Sequence, residues 1–189
     1  ELGLRDGFRW SPDGKAIAYW QLDEEGVPEM HMLNNVSGYY PKLITFRYPK
    51  TGETNAICRV GVVQLDDAKT TWMKVPGDPR NHYLARMEWA DNSAELLLQQ
   101  LNRLQNKNAV MLANVRDGKV KTIYTDRDKA WIEVRFGFTR WVNEGKQLTY
   151  VSEREGWRQL YLVSRDGKTV LKVTDGKYDI IRTLKIDEA

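Results

Sequence analysis

The chain has 189 residues, 41% of them hydrophobic and 29% charged. That is long and apolar enough to bury a core, and it excludes a disordered or collagen-like chain. Its 29 Lys and Arg oppose 26 Asp and Glu for a formal charge of +3, with both signs interspersed. The densest basic stretch, Arg116 to Arg127, is broken by Asp117 and Asp126, so nucleic acid is set aside as a partner.

No apolar run approaches the roughly 20 residues of a membrane helix. The chain begins at Glu1 without a Met or a signal-like stretch, and both ends read as cut ends. Seven Trp and nine Tyr sit among short alternating segments separated by turn residues, which predicts an all-β chain.

The first predicted unit is Phe8-Arg9-Trp10-Ser11-Pro12-Asp13-Gly14, leading into a strand from Ala16 to Trp20. Pro12 presets the φ of a tight turn, and Gly14 supplies the positive φ that brings the chain back antiparallel. A turn-rich stretch follows, with Asp23 to Pro28, Asn34 to Pro41 and Tyr48-Pro49-Lys50-Thr51-Gly52, and it marks Asp23 to Arg59 as an excursion within a unit. Ala56-Ile57-Cys58 then reads as an apolar strand holding a buried thiol. Cys58 is the only cysteine, and His31 and His82 lie far from it along the chain, so no disulfide, metal site or other cofactor is expected.

A hairpin at Val63 to Lys69 closes this first unit. The Trp turn returns at Met87-Glu88-Trp89-Ala90-Asp91-Asn92-Ser93 and again at Thr139-Arg140-Trp141-Val142-Asn143-Glu144-Gly145. The second hairpin grammar returns at Ala113 to Lys119 and at Val163 to Lys168. Asp66, Asp117 and Asp166 are separated by 51 and 49 residues, and Trp89 and Trp141 by 52, whereas Trp10 and Trp89 are 79 apart because of the excursion. Two hairpins per period of about 50 residues predict a partial β-propeller of three to four four-stranded antiparallel blades. Ala94 to Leu104 is rich in helix formers, but the repeat assigns it to a strand. Strands apolar on both faces, such as Leu160-Tyr161-Leu162-Val163, fit sheets sandwiched between neighbours. Terminal sheets left uncovered predict a tendency to associate.

The chemistry of an independent enzyme is missing from the sequence. There is no Gly-x-Ser-x-Gly elbow, and Asn35-Val36-Ser37-Gly38 lacks its first glycine and falls in a turn. No phosphate-cradling glycine motif occurs either. The carboxylate pairs Glu24-Glu25 and Asp66-Asp67 fall in turns, and Ser152 has no histidine near it in sequence. No catalytic residue is expected.

Four stretches, in order, resemble the propeller of the dipeptidyl peptidase IV family. They are Arg9-Trp10-Ser11-Pro12-Asp13-Gly14 through Val27-Pro28; Tyr48-Pro49-Lys50-Thr51-Gly52 with Asn55; Leu101-Asn102-Arg103-Leu104-Gln105-Asn106; and Ser152-Glu153-Arg154-Glu155-Gly156-Trp157-Arg158-Gln159-Leu160-Tyr161. The resemblance implies that residues 1–189 are a fragment of one propeller domain, with the catalytic α/β-hydrolase domain lying elsewhere in a serine exopeptidase. Such enzymes remove N-terminal dipeptides with Pro or Ala second, and the propeller gates the substrate. It further implies an acidic group that accepts the peptide's ammonium, with Glu1 standing about where the last Glu of that segment would be. Arg135, in the Val134-Arg135-Phe136 region, matches an Arg lining the substrate cleft, although Val134 replaces the family's aromatic. A hydrolase domain in cis, a homodimer through the Asp23 to Arg59 excursion and an extracytoplasmic location are implied in the same way. The fold alone would equally serve a protein-interaction scaffold.

Overall fold

The computed structural model describes residues 6–135 and 137–187. Within them, fourteen strands form three four-stranded antiparallel sheets and one two-stranded hairpin. The first sheet orders β1 (Phe8–Trp10), β2 (Ala16–Asp23), β5 (Ile57–Gln64) and β6 (Thr70–Trp72). Between β2 and β5 the chain leaves to make the hairpin β3 (Glu29–Asn34) and β4 (Lys42–Arg47), within the stretch Asp23 to Arg59. The second sheet runs β7 (His82–Trp89), β8 (Glu95–Asn102), β9 (Lys107–Asn114) and β10 (Val120–Arg127). The third runs β11 (Arg140–Val142), β12 (Gln147–Ser152), β13 (Gln159–Ser164) and β14 (Val170–Lys172). The chain is thus a partial propeller of three blades, with the hairpin inserted in the first.

Two of the three Trp turns are closed by a side chain that bonds the returning backbone, and the third by the Lys146 amide on the Asn143 carbonyl at 3.1 Å. Ser11 Oγ accepts from the amides of Lys15 and Ala16 at 3.1 and 2.9 Å, and in the second sheet Asn92 Oδ1 accepts from Ala94 and Glu95 at 2.8 and 2.9 Å. Such local bonding is why Ser and Asn suit these positions. Trp89 donates its indole N–H to the Arg9 carbonyl at 3.2 Å, and Trp141 is buried beneath the Arg165 guanidinium, 4.4 Å from its ring centre. Trp10 is different, with 54% of its surface exposed, because no described sheet lies beyond it.

The core lies in the two seams between sheets. Ala18, Val60 and Val62 of the first sheet meet Leu84, Met87, Leu96 and Leu98 of the second. Leu97 and Leu112 of the second meet Trp141, Leu148 and Val163 of the third. Strand β8 therefore sends Leu96 and Leu98 into one seam and Leu97 into the other, as the two-residue period requires. A central sheet so placed reads as apolar throughout. In the third sheet only one face is covered, and β13 alternates buried Tyr161 and Val163 with half-buried Leu160 and Leu162.

Two bulges tune the seams. In β10 the register shifts between Thr122 and Tyr124, so the consecutive Ile123 and Tyr124 both enter the seam with the third sheet. In β7 it shifts between Leu84 and Arg86, and Arg86 becomes a buried cation that donates to the Val134 carbonyl. Backbones also approach directly. Lys74 donates its amide to the Gly118 carbonyl at 2.7 Å, and a Cβ on Gly118 would stand 2.2 Å from the Trp72 carbonyl oxygen.

Candidate functional site

The connection from β10 to β11 arches over the seam between the second and third sheets. One side of it borders a small pocket of about 40 Å³ whose walls include Gln99, Asp126, Ile132, Ser152 and Arg158. The other borders a wider hollow of about 600 Å³ lined by Arg86, Glu88, Trp89, Arg140 and Trp141. Gln99, Arg135 and Thr139 belong to both. Arg135 is exposed on this ridge and donates to Glu133 Oε2 at 2.5 Å. Glu1 and Phe136 lie outside the described residues.

Behind the small pocket is a buried polar cluster across the seam. Ser152 donates its hydroxyl to Asp126 Oδ1 at 2.8 Å, and the Arg127 amide donates to the same oxygen at 3.1 Å. Asn108 donates through Nδ2 to Tyr150 OH and Gln99 Oε1 at 3.0 and 2.9 Å. Arg154 donates to Tyr124 OH at 2.9 Å while its guanidinium stacks 4.1 Å from the Tyr161 ring centre. Burial pushes the Asp126 carboxyl above its ordinary value, and it pushes the Tyr124 phenol up to about 12. The cluster joins the two sheets and forms a wall that a ligand could meet.

The connection itself is held by the second sheet. Asp128 and Ile132 donate their amides to the carbonyls of Asn106 and Gln105 at 3.1 and 2.6 Å, and Ile132 packs with Leu101 and Ala85. Those acceptors belong to the Leu101 to Asn106 segment. Its Arg103 in turn reaches the carbonyls of Arg80 and Glu53 at 3.4 and 3.5 Å, the latter next to Tyr48 to Gly52. Two segments distant in sequence thus meet at one edge of the fold.

Of the residues singled out in the sequence, Arg135 reaches the hollows, while Ser152 is spent on Asp126 rather than exposed as a nucleophile. The Glu24-Glu25 and Asp66-Asp67 pairs do lie in turns. Cys58 is half-buried at the start of β5, and its thiol is pushed up to about 11 by burial. His82 folds against the Cys58 backbone, which the chain separation hides, and hydrogen-bonds through Nδ1 with Gln100 at 2.9 Å. Among the described residues no three His, Cys, Asp or Glu side chains gather as metal ligands. Sequence reasoning missed Arg86 and Asp126. Arg86 had a readable signal, a lone cation between Ala85 and Met87 in an apolar strand, whereas Asp126 looked like one more surface charge.

The family model described as the dipeptidyl peptidase IV N-terminal region matches residues 1–189. The chain belongs to that family. Membership covers all three sheets and the hairpin. The crystal structure of Porphyromonas gingivalis dipeptidyl peptidase 4 superposes with a TM-score of 0.86 at 29% identity, covering 96% of this chain and 26% of that one. The dipeptidyl peptidase 4 of Trichophyton rubrum is 24% identical over 98% of the chain and 25% of its own length. A protein of Emericella nidulans named "probable dipeptidyl peptidase 4" is 26% identical over 99% and 26% of the two lengths. The chain therefore spans about a quarter of the curated relatives it matches.

Proposed function

We propose that this chain is the non-catalytic, substrate-gating part of a dipeptidyl peptidase IV-like serine exopeptidase, working with an α/β-hydrolase domain in cis on peptides with Pro or Ala second. The observation that carries this is the position of Arg135, on the ridge shared by the two hollows, where its side chain can reach an extended peptide in either. A guanidinium there can donate to a peptide carbonyl, and Trp89 and Trp141 are among the residues that line the wider hollow. Glu1 is assigned the ammonium of the peptide. Holding both ends of a short peptide fixes which bond reaches a nucleophile elsewhere, by orientation rather than by reactivity.

The test is calorimetric titration with the tripeptide Ala-Pro-Ala, free and N-acetylated. The reading expects binding of the free form, a tenfold or greater loss on acetylation, and weakening by Arg135→Ala. Equal affinity for both forms removes the role of the ammonium. Hydrolysis of the tripeptide by the chain alone contradicts its non-catalytic assignment.

The hairpin β3–β4 supports a homodimer. Its register pairs Met30 with Phe46 and Met32 with Ile44, placing four apolar side chains on one face, and Met32 and Ile44 are 51% and 46% exposed. A second copy covers this face in our reading, and unchanged sedimentation after removal of residues 29–47 rules that out. An extracytoplasmic location, by family resemblance, belongs to the same proposal, and fractionation of the producing cell tests it. A scaffold without peptidase chemistry is the competing reading. Finding Gly-x-Ser-x-Gly, Asp and His in that order in the downstream coding sequence would exclude it.

A further inference from the structure

The segment that forms one wall of the pocket, Asp128 to Arg135, has no regular structure of its own. Its position is set by what it is bonded to. The anchors on its first half are the carbonyls of Gln105 and Asn106, which lie in the β8–β9 turn. That turn is tight, with Gln105 at φ +53°, a left-handed conformation that strains a non-glycine residue.

One side chain organises it. Asn102 Oδ1 accepts from the amides of Asn106 and Lys107 at 3.1 and 3.0 Å, its Nδ2 donates to Asn106 Oδ1 at 2.8 Å, and its carbonyl accepts from the Gln105 amide at 2.9 Å. These three side-chain bonds and one main-chain bond fix the direction in which the Gln105 and Asn106 carbonyls point. Loss of the side chain removes three of these four bonds and loosens the turn that aims the acceptors of Ile132 and Asp128.

From this geometry we infer that Asn102 is a positioning residue for the peptide cleft. It touches no ligand, and acts through the turn to hold the wall that carries Arg135. The inference rests on the cleft reading above for its consequence, but not for its mechanics. It also gives the Leu101 to Asn106 segment a purpose beyond strand pairing: Leu101 packs on Ile132, Asn102 sets the turn, and Gln105 and Asn106 supply the acceptors.

The experiment is residue-resolved amide hydrogen exchange by NMR on the full chain, for the wild type, Asn102→Ala and Asn102→Asp, alongside titration with Ala-Pro-Ala. Asn102→Ala is expected to speed exchange at Asp128 and Ile132 by about tenfold or more, the scale of one lost hydrogen bond. Amides of β12 and β13 keep their wild-type rates. Peptide binding weakens in parallel. The Asp variant retains the acceptor oxygen, so it restores slow exchange and binding.

Unchanged exchange at Asp128 and Ile132 in Asn102→Ala overturns the inference. So does a uniform rise throughout the third sheet, which would mean that the residue supports folding at large. Loop-selective exchange in a chain that never binds the peptide upholds the positioning role and defeats only the cleft reading.

Discussion

The Ser152 hydroxyl donates to Asp126 Oδ1 at 2.8 Å across the seam between the second and third sheets, and both residues are almost completely buried. A carboxylate in such a place is held by a few donors against the cost of leaving water. Desolvation dominates, and it raises the pKa above the usual carboxylate value despite the bonds from Ser152, Tyr150 and Arg127 that favour the ionised form.

A pH dependence follows from the sign of that shift. The folded chain binds the Asp126 proton more tightly than the unfolded chain, so this group's contribution favours folding at low pH. That contribution is lost as pH rises from the ordinary carboxylate value through the raised one. The side-chain amide of an Asp126→Asn variant cannot ionise and still offers an oxygen to Ser152. Urea midpoints measured across the acidic range should show the variant gaining on the wild type as pH rises through this window. Parallel curves would mean that the carboxyl is not desolvated.

Backbone contact between blades makes a second, opposed pair of predictions. Gly118 has φ +71° and faces the Trp72 carbonyl oxygen, so Gly118→Ala adds left-handed strain to a steric overlap and should cost about 2–4 kcal/mol. Ala68 occupies the matching position of the first sheet's Asp-Asp-Ala-Lys turn at φ +55°. Ala68→Gly relieves that strain but loosens the unfolded chain, leaving it between neutral and about 1 kcal/mol more stable. Chemical denaturation of both variants decides the matter, since effects equal in size and opposite in sign at the two turns would show that the close approach to Trp72 is unimportant.

The fold was legible because its grammar is local. Turns at Ser11 to Gly14 and Asn114 to Gly118 are written in residues that bond to their own backbone, and the 50-residue spacing needs no tertiary knowledge. Even the helix-prone Ala94 to Leu104 resolved into β8, because Leu96, Leu97 and Leu98 have two different seams to fill. The candidate site is less legible than the fold, and a resemblance alone named a residue in it. Arg135 came from an aligned position, while Asp126 and Ser152, 26 residues apart, become partners only once two sheets are packed. Nothing in the neighbourhood of either residue encodes that meeting.

Leu98 tests the seam assignment. Its side chain is fully buried among the residues joining the first and second sheets. Leu98→Ala should destabilise by about 2–5 kcal/mol, the range for a leucine lost from a core. If the first sheet were only loosely attached, thermal unfolding would show a loss near zero, and the seam could not be the core described above.

Cys58 offers a probe of the same seam that needs no substitution. Its thiol is pushed up to about 11 because it is desolvated near the start of β5, an inner strand of the first sheet, with the Leu84 backbone as the compensating contact. The thiolate is the reactive form, so a thiol pushed up to about 11 carries about a hundredfold less of it at pH 8 than an exposed one. Alkylation by iodoacetamide should therefore be about a hundredfold slower in the native chain than in urea. The rate should rise with pH well past the point at which an exposed thiol levels off. A native rate equal to the unfolded one would place Cys58 in water and separate β5 from the second sheet.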